Sequence, residues 1–97
     1  IAVLCLDVKN DELFKVANDL YLHLKNQNYD VLFEERKERP GVKFNDIELL
    51  GIPVRITLGK KFLETQKIEI NIRKTGECFK KNLEDIDEFL KELKNKL

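Results

Sequence analysis

The sequence predicts an α/β domain with three layers, in which helices cover both faces of a mixed, mainly parallel sheet. A continuous apolar run at residues 1–6 is typical of a parallel strand that is buried on both faces. Leucine-rich stripes with helical spacing follow this run and also end the chain. Residues 67–73 alternate between isoleucine and polar side chains, as in a strand with one buried face.

The first third of the chain predicts a strand, a helix and a second strand, a unit that is nearly always right-handed. Asn10 is expected to cap a helix over residues 11–27, because its side chain can accept from a free backbone N–H. The apolar stripe of this helix consists of Leu13, Val16, Ala17, Leu20 and Leu24. The second strand is predicted at residues 29–33.

The rest of the chain predicts two more helices and three strands. Pro40 suits the first turn of a helix, since the N–H that it lacks would be unpaired there anyway. The short apolar face of that helix consists of Phe44, Ile47 and Leu50. Strands are predicted at residues 54–58, 67–73 and 78–80, with a single helical turn at 60–64. Asn82 is expected to cap the last helix, whose stripe consists of Leu83, Ile86, Leu90, Leu93 and Leu97.

Charge is segregated along the chain although the net charge is zero. Residues 1–35 carry three Lys/Arg against seven Asp/Glu, and residues 82–97 carry three against five. Residues 36–81 carry twelve against six. A basic middle segment suits an anionic partner, because a local field attracts phosphates even where the total charge vanishes. A solvated mixed surface is the alternative interpretation.

A conventional active site is not predicted. Residues 59–61 resemble the end of a Walker motif, but the upstream glycine and the Ser/Thr after lysine are missing. His23 is the only histidine, expected at the surface, and Cys5 and Cys78 lack metal-ligand spacing. The cysteines indicate a reducing compartment, with a disulfide as the lesser alternative. No apolar run approaches the roughly 18 residues that a membrane span needs.

Basic residues near the predicted carboxyl ends of the parallel strands form the candidate binding site, since ligands of α/β sheets bind at that edge. The candidates are Glu35, Arg36, Lys37, Arg39, Lys43, Arg55, Lys60 and Lys61. Arginine can hold a guanine edge or a phosphate through two hydrogen bonds, and glutamate can accept from a base amino group. Single-stranded RNA loops are therefore the favoured partner. Ion pairs with neighbouring glutamates are the alternative for Arg36 and Arg39, and Phe44 is more typical of a core than of a stacking platform.

The segment ERPGVKFNDIELLGIPVRITLGKK, residues 38–61, resembles the C-terminal anticodon-binding domain of bacterial-type prolyl-tRNA synthetases, which are class II enzymes. The resemblance rests on residues 39–44, on residues 50–53 with Arg55 and Gly59, and on the later IEINIRKTGE. Synthetases for Thr, Gly and His share the fold, but the Pro-Gly-Val-Lys-Phe and Gly-Ile-Pro segments favour Pro. The family often has Asp-Asp before the arginine, where this chain has Glu34-Glu35.

The resemblance implies a five-stranded sheet with one strand running against the others, and a domain that recognises the two guanines of proline anticodons. From their charge and position we expect Glu35, Arg36, Arg39, Lys43, Arg55 and Lys60 to bind RNA. The resemblance also implies a homodimeric, cytoplasmic parent enzyme that joins proline to its tRNA with ATP and Mg²⁺. We therefore expect residues 1–97 to be a single domain cut from a longer chain, without catalytic residues, cofactor or metal. An accessory protein-interaction module with the same fold is the alternative.

Overall fold

The computed structural model describes residues 1–7, 9–34 and 40–96, the side chains of residues 40 and 94–96 excepted. The strands in this part of the chain are β1 (Ala2–Cys5), β2 (Leu32–Glu34), β3 (Val54–Leu58), β4 (Lys67–Ile72) and β5 (Cys78–Asn82). The helices are α1 (Asp11–Asn26), α2 (Pro40–Leu50), α3 (Lys60–Thr65) and α4 (Ile86–Lys96), with one 3₁₀ turn at Leu83–Asp85.

The strands form one sheet in the order β2-β1-β3-β4-β5. Strand β1 pairs in parallel with β2 and β3, whereas β4 pairs antiparallel with both β3 and β5. Among the described strands, β4 therefore runs against the other four. Helices α1 and α4 pack on one face of the sheet and α2 packs on the other. The predicted three-layer α/β fold with a five-stranded, mixed sheet is confirmed.

The larger core lies between the sheet and helices α1 and α4. Its buried residues on α1 are Leu13, Ala17, Leu20 and Leu24, while Val16 of the predicted stripe is only partly buried. The predicted cap of α1 is confirmed, because Oδ1 of Asn10 accepts from the backbone N–H of Leu13 at 3.1 Å. At the surface, Nε2 of His23 contacts Oδ1 of Asp87 at 2.9 Å and links α1 to α4.

The smaller core lies between β1 and α2 and contains Ala2, Leu4 and Ile47. Phe44 packs against this core as a partly buried side chain. The prediction that Leu50 belongs to the apolar face of α2 is wrong, because its side chain is 66% exposed. Helix α2 ends at Leu50, so this last turn extends beyond the small core that Ile47 completes.

Two boundaries differ from the predictions for local reasons. Strand β2 begins at Leu32 rather than residue 29, because the backbone N–H of Tyr29 still donates to Leu24 and closes the end of α1. The side chain of Asn82 makes no capping hydrogen bond. Asn82 instead pairs with Lys67 as the last residue of β5, and a 3₁₀ turn separates it from α4.

The described helices include none that is long and apolar enough to span a membrane. The predicted residues Glu35, Arg36, Lys37, Arg39 and Leu97 lie outside the described part of the chain.

Candidate nucleic-acid interface

A polar surface covers β3, β4 and β5 on the face of the sheet that carries α2. Strand alternation produces it, because Ile68 and Ile70 of β4 point into the larger core and the residues that alternate with them point the opposite way. Pairing aligns its side chains in two rows across the strands. The rows are Arg55–Asn71–Cys78 and Thr57–Glu69–Lys80. Helix α2 packs on β1, and its Phe44 reaches Arg55 of β3, while two clefts open along the polar surface.

Arg55 is the central residue of the first row. Its Cζ lies 4.7 Å from the centroid of the Phe44 ring, a distance at which a guanidinium is attracted to an aromatic face. Its Nε is buried and has no hydrogen-bond acceptor among the described residues. A buried donor without an acceptor costs free energy. The guanidinium of Arg55 is thus held over the Phe44 ring.

A cleft of about 310 Å³ opens beside Arg55. Oε1 of Glu48, on α2, lies 3.6 Å from Nε of Arg73, just beyond β4. Both of these side chains are largely exposed. The residues that line the cleft are Ile47, Glu48, Ile52, Arg55, Asn71, Ile72, Arg73 and Gly76. The cleft therefore combines an apolar floor with donors and acceptors, which suits a flat polar ring such as a nucleobase.

A second cleft of about 530 Å³ lies further along β3, beyond the carboxyl ends of the parallel strands. Its walls include the four lysines Lys60, Lys61, Lys67 and Lys80, all of them exposed. The floor includes Leu6, Phe62 and Ile68. The hydroxyl of Thr57 is buried at this cleft without a hydrogen-bond partner in the described part of the chain. Together the two linings carry six cationic side chains against two carboxylates, so the surface attracts anions.

Cys78 lies at the edge of the polar surface, where its Sγ donates to Oε1 of Glu69 at 3.3 Å. Burial, followed by this hydrogen bond, raises the pKa of the Cys78 thiol. The thiol is therefore protonated near neutral pH and serves as a donor rather than a nucleophile. No group of three His, Cys, Asp or Glu suited to a metal ion occurs among the residues whose positions are described.

The structure brings together only some of the residues predicted for the site. Arg55 and Lys60 line the two clefts, as does Lys61. Lys43 does not, because its side chain is 1% exposed and its Nζ donates to the carbonyl oxygen of Cys5 at 2.8 Å. The expectation that Lys43 contacts RNA is thus corrected, since a buried ammonium cannot reach a phosphate at the surface.

Several residues that line the two clefts were not predicted from the sequence. They are Glu48, Thr57, Lys67, Glu69, Asn71, Arg73 and Lys80. The alternation in β4 placed Glu69, Asn71 and Arg73 on one side of a strand, which was the available signal. The face of the sheet on which these residues lie depends on how β4 pairs with β3. The sequence pattern alone does not give the register of that pairing.

Comparison with known proteins gives consistent results. The family described as "Anticodon binding domain" matches residues 1–95. The chain is 46% identical over 85 residues to a proline–tRNA ligase of Halothermothrix orenii, covering 88% of this chain and 15% of that protein. It is 41% identical over 88 residues to the proline–tRNA ligase of Bacillus subtilis, covering 91% of this chain and 15% of that protein.

A proline–tRNA ligase of Aquifex aeolicus is 41% identical over 90 residues, covering 93% of this chain and 16% of that protein. The chain thus spans about 15% of the length of the curated relatives that it matches. The family match extends over nearly all of the sheet and helices described above. The chain belongs to the anticodon binding domain family.

Proposed function

We propose that this chain is the anticodon-binding domain of a proline–tRNA ligase and binds the anticodon loop of proline tRNA. The observation that carries the proposal is Arg55, whose guanidinium lies over the Phe44 ring and whose side chain lines a base-sized cleft. The cleft belongs to a surface with a cationic excess, as an RNA partner requires. The similarity to proline–tRNA ligases supports proline as the amino acid.

Arg55 is proposed to recognise a guanine of the anticodon. Arginine binds O6 and N7 of guanine through two parallel hydrogen bonds, the commonest base-specific contact in nucleic-acid recognition. Single-stranded loops expose these atoms together with the Watson–Crick edge of the base. Asn71, opposite Arg55 on β4, supplies an amide, and Glu48 supplies a carboxylate that can accept from the amino group of guanine.

The lysine-lined second cleft is proposed to hold the adjacent part of the loop. Lys60, Lys61, Lys67 and Lys80 neutralise phosphates, which contributes affinity and salt dependence but little base specificity. Glu69, which also lines this cleft, provides a hydrogen-bond acceptor. Glu35, Arg36 and Arg39, which lie outside the described residues, are retained as candidates for further contacts with the loop.

We further propose that the domain works within a longer, homodimeric and cytoplasmic enzyme that joins proline to tRNA. The relatives named proline–tRNA ligase are more than six times as long as their match with this chain. ATP and Mg²⁺ are proposed to be bound by the rest of such an enzyme. The role of this chain would be to bind and orient the tRNA.

Titration of the 97-residue chain with proline tRNA tests the proposal. Matched transcripts carry adenine in place of each anticodon guanine. We expect each replacement that faces Arg55 to weaken binding by about fivefold to 150-fold, the equivalent of roughly 1–3 kcal/mol. A tRNA for another amino acid with no guanine at these positions serves as the control.

Equal affinity of the chain for proline tRNA and for the guanine-replaced transcripts would refute anticodon recognition. In that case the basic surface would bind RNA only through phosphates, and the salt dependence of binding would be the same for all transcripts.

A further inference from the structure

Lys43 is a buried charged residue that the proposed RNA contacts do not use. It lies in the first turn of α2, with a side chain that is 1% exposed. Its Nζ donates to the carbonyl oxygen of Cys5 at 2.8 Å. The lysine thus joins the beginning of α2 to the carboxyl end of β1 through the interior of the domain.

Stability alone does not explain a lysine at this position. An ammonium in the first turn faces the positive end of the helix dipole, which repels it. Removing an ammonium from water is also unfavourable, and the single hydrogen bond to the Cys5 carbonyl offsets only part of that cost. The features that Lys43 supplies and an apolar residue lacks are a strong donor and a fixed anchor on the sheet.

The position of the anchor relates Lys43 to base recognition. The next residue is Phe44, whose ring carries the guanidinium of Arg55. Arg55 belongs to β3, which pairs with β1, the strand that ends at Cys5. The hydrogen bond of Lys43 therefore fixes the helix turn that carries Phe44 relative to β1, and β1 lies beside β3, the strand that carries Arg55.

We propose that Lys43 is a positioning residue for base recognition, which holds the first turn of α2 against the Cys5 carbonyl and thereby sets the Phe44–Arg55 stack. It acts through these neighbours and touches no RNA. The proposal rests on the proposed function for its effect on tRNA, while the effect on Arg55 is independent of it. A rotation of the helix turn would carry the Phe44 ring away from the guanidinium and leave Arg55 free to change rotamer.

The test replaces the lysine by an unbranched apolar side chain in Lys43→Met. Lys15→Met is the matched control, since it removes the same charge from an exposed position on α1, in the opposite helix layer. Three measurements are made on both variants and on the original chain. They are the NMR resonance of the Arg55 Nε–H group without RNA, the affinity ratio between proline tRNA and its guanine-replaced transcript, and the salt dependence of tRNA binding.

We expect Lys43→Met to shift the Arg55 resonance and to reduce the affinity ratio by about fivefold or more. The slope of log affinity against log salt should stay unchanged, because no phosphate contact is lost. Lys15→Met should leave both the resonance and the ratio unchanged. A purely structural role for Lys43 would alter thermal unfolding but not the affinity ratio measured well below the unfolding temperature.

Two results would overturn the proposal. An unchanged Arg55 resonance in folded Lys43→Met would show that the stack does not depend on the lysine. A salt slope smaller by about 0.7 would show that Lys43 contacts a phosphate directly. If the original chain shows no preference for guanine, the proposed function fails, and the Arg55 resonance alone decides for or against the positioning role. If Lys43→Met does not fold, Lys43→Leu, which also lacks a donor, is measured instead and judged by the same outcomes.

Discussion

Replacing Arg55 by lysine should remove recognition of a guanine while leaving the attraction for RNA intact. The guanidinium of Arg55 lies 4.7 Å from the Phe44 ring centroid, and its buried Nε lacks an acceptor within the described part of the chain. Lysine keeps the positive charge of the site. Its ammonium is a single donor centre without the planar fork that matches two acceptors of guanine.

The expected magnitude follows from the two interactions that the substitution removes. A bidentate contact between arginine and guanine contributes about 1–3 kcal/mol of discrimination against the wrong base. The stack of a guanidinium on an aromatic ring adds roughly 0.5–1 kcal/mol at a partly exposed site, which here stabilises the orientation of Arg55. Loss of the bidentate contact should lower the affinity ratio between matched and guanine-replaced tRNA by about fivefold to 150-fold.

The assay measures tRNA binding by fluorescence anisotropy over a series of salt concentrations, with each transcript in turn. Arg55→Lys should bring the affinity ratio towards one and leave the salt slope unchanged. Lys60→Ala is the complementary variant, because Lys60 is exposed at the second cleft. It should weaken binding to every tRNA and reduce the slope by about 0.7, while the affinity ratio is kept. Full discrimination by folded Arg55→Lys would refute the assignment of Arg55 to a base.

Three further predictions test other parts of the domain. Arg36→Ala should lower the discrimination between matched and replaced tRNA, and unchanged discrimination would contradict a base contact by Arg36. Bound proline tRNA should slow alkylation of Cys78, while the buried Cys5 should stay unreactive with and without RNA. Equal alkylation rates of Cys78 with and without tRNA would place the RNA elsewhere. Burial also raises the pKa of the Cys78 thiol, so alkylation should accelerate only at a pH above that at which an ordinary thiol ionises. Asn10→Ala should lower the free energy of unfolding in urea by about 1 kcal/mol, because the cap of α1 is lost; a loss below about 0.3 kcal/mol would show that the cap contributes little.

The elements that were predicted best are those in which burial of one face requires a regular spacing of apolar residues. Strand β3 was predicted at its observed bounds, and β4 and α1 differ by one residue at an end. In each, apolar residues recur with the spacing of one buried face, so packing and local pattern agree. Strand β2 was misplaced because a backbone hydrogen bond from Tyr29 extends the end of α1, and the residue pattern carries no sign of it.

The candidate site was less predictable because it depends on which face each residue occupies. Arg55 was predicted as a site residue from charge and resemblance, but the position of its guanidinium over the Phe44 ring depends on the packing of α2 against β1. Lys43 was predicted to contact RNA because a lysine in a basic segment is normally solvated. Its burial depends on a carbonyl at the end of β1, which is 38 residues away along the chain.

Strand β3 contributes a residue to each of the two clefts of the proposed RNA surface and so relates their positions. Arg55 lines the first cleft and Thr57 lines the second, so consecutive side chains on one face of β3 belong to adjacent sites. Such side chains are about 6.6 Å apart along a strand, roughly twice the ~3.4 Å rise between stacked bases. In the proposed complex, two adjacent stacked bases would lie too close together to occupy both clefts. The two nucleotides must therefore either be unstacked, as in a loop, or have a third base between them.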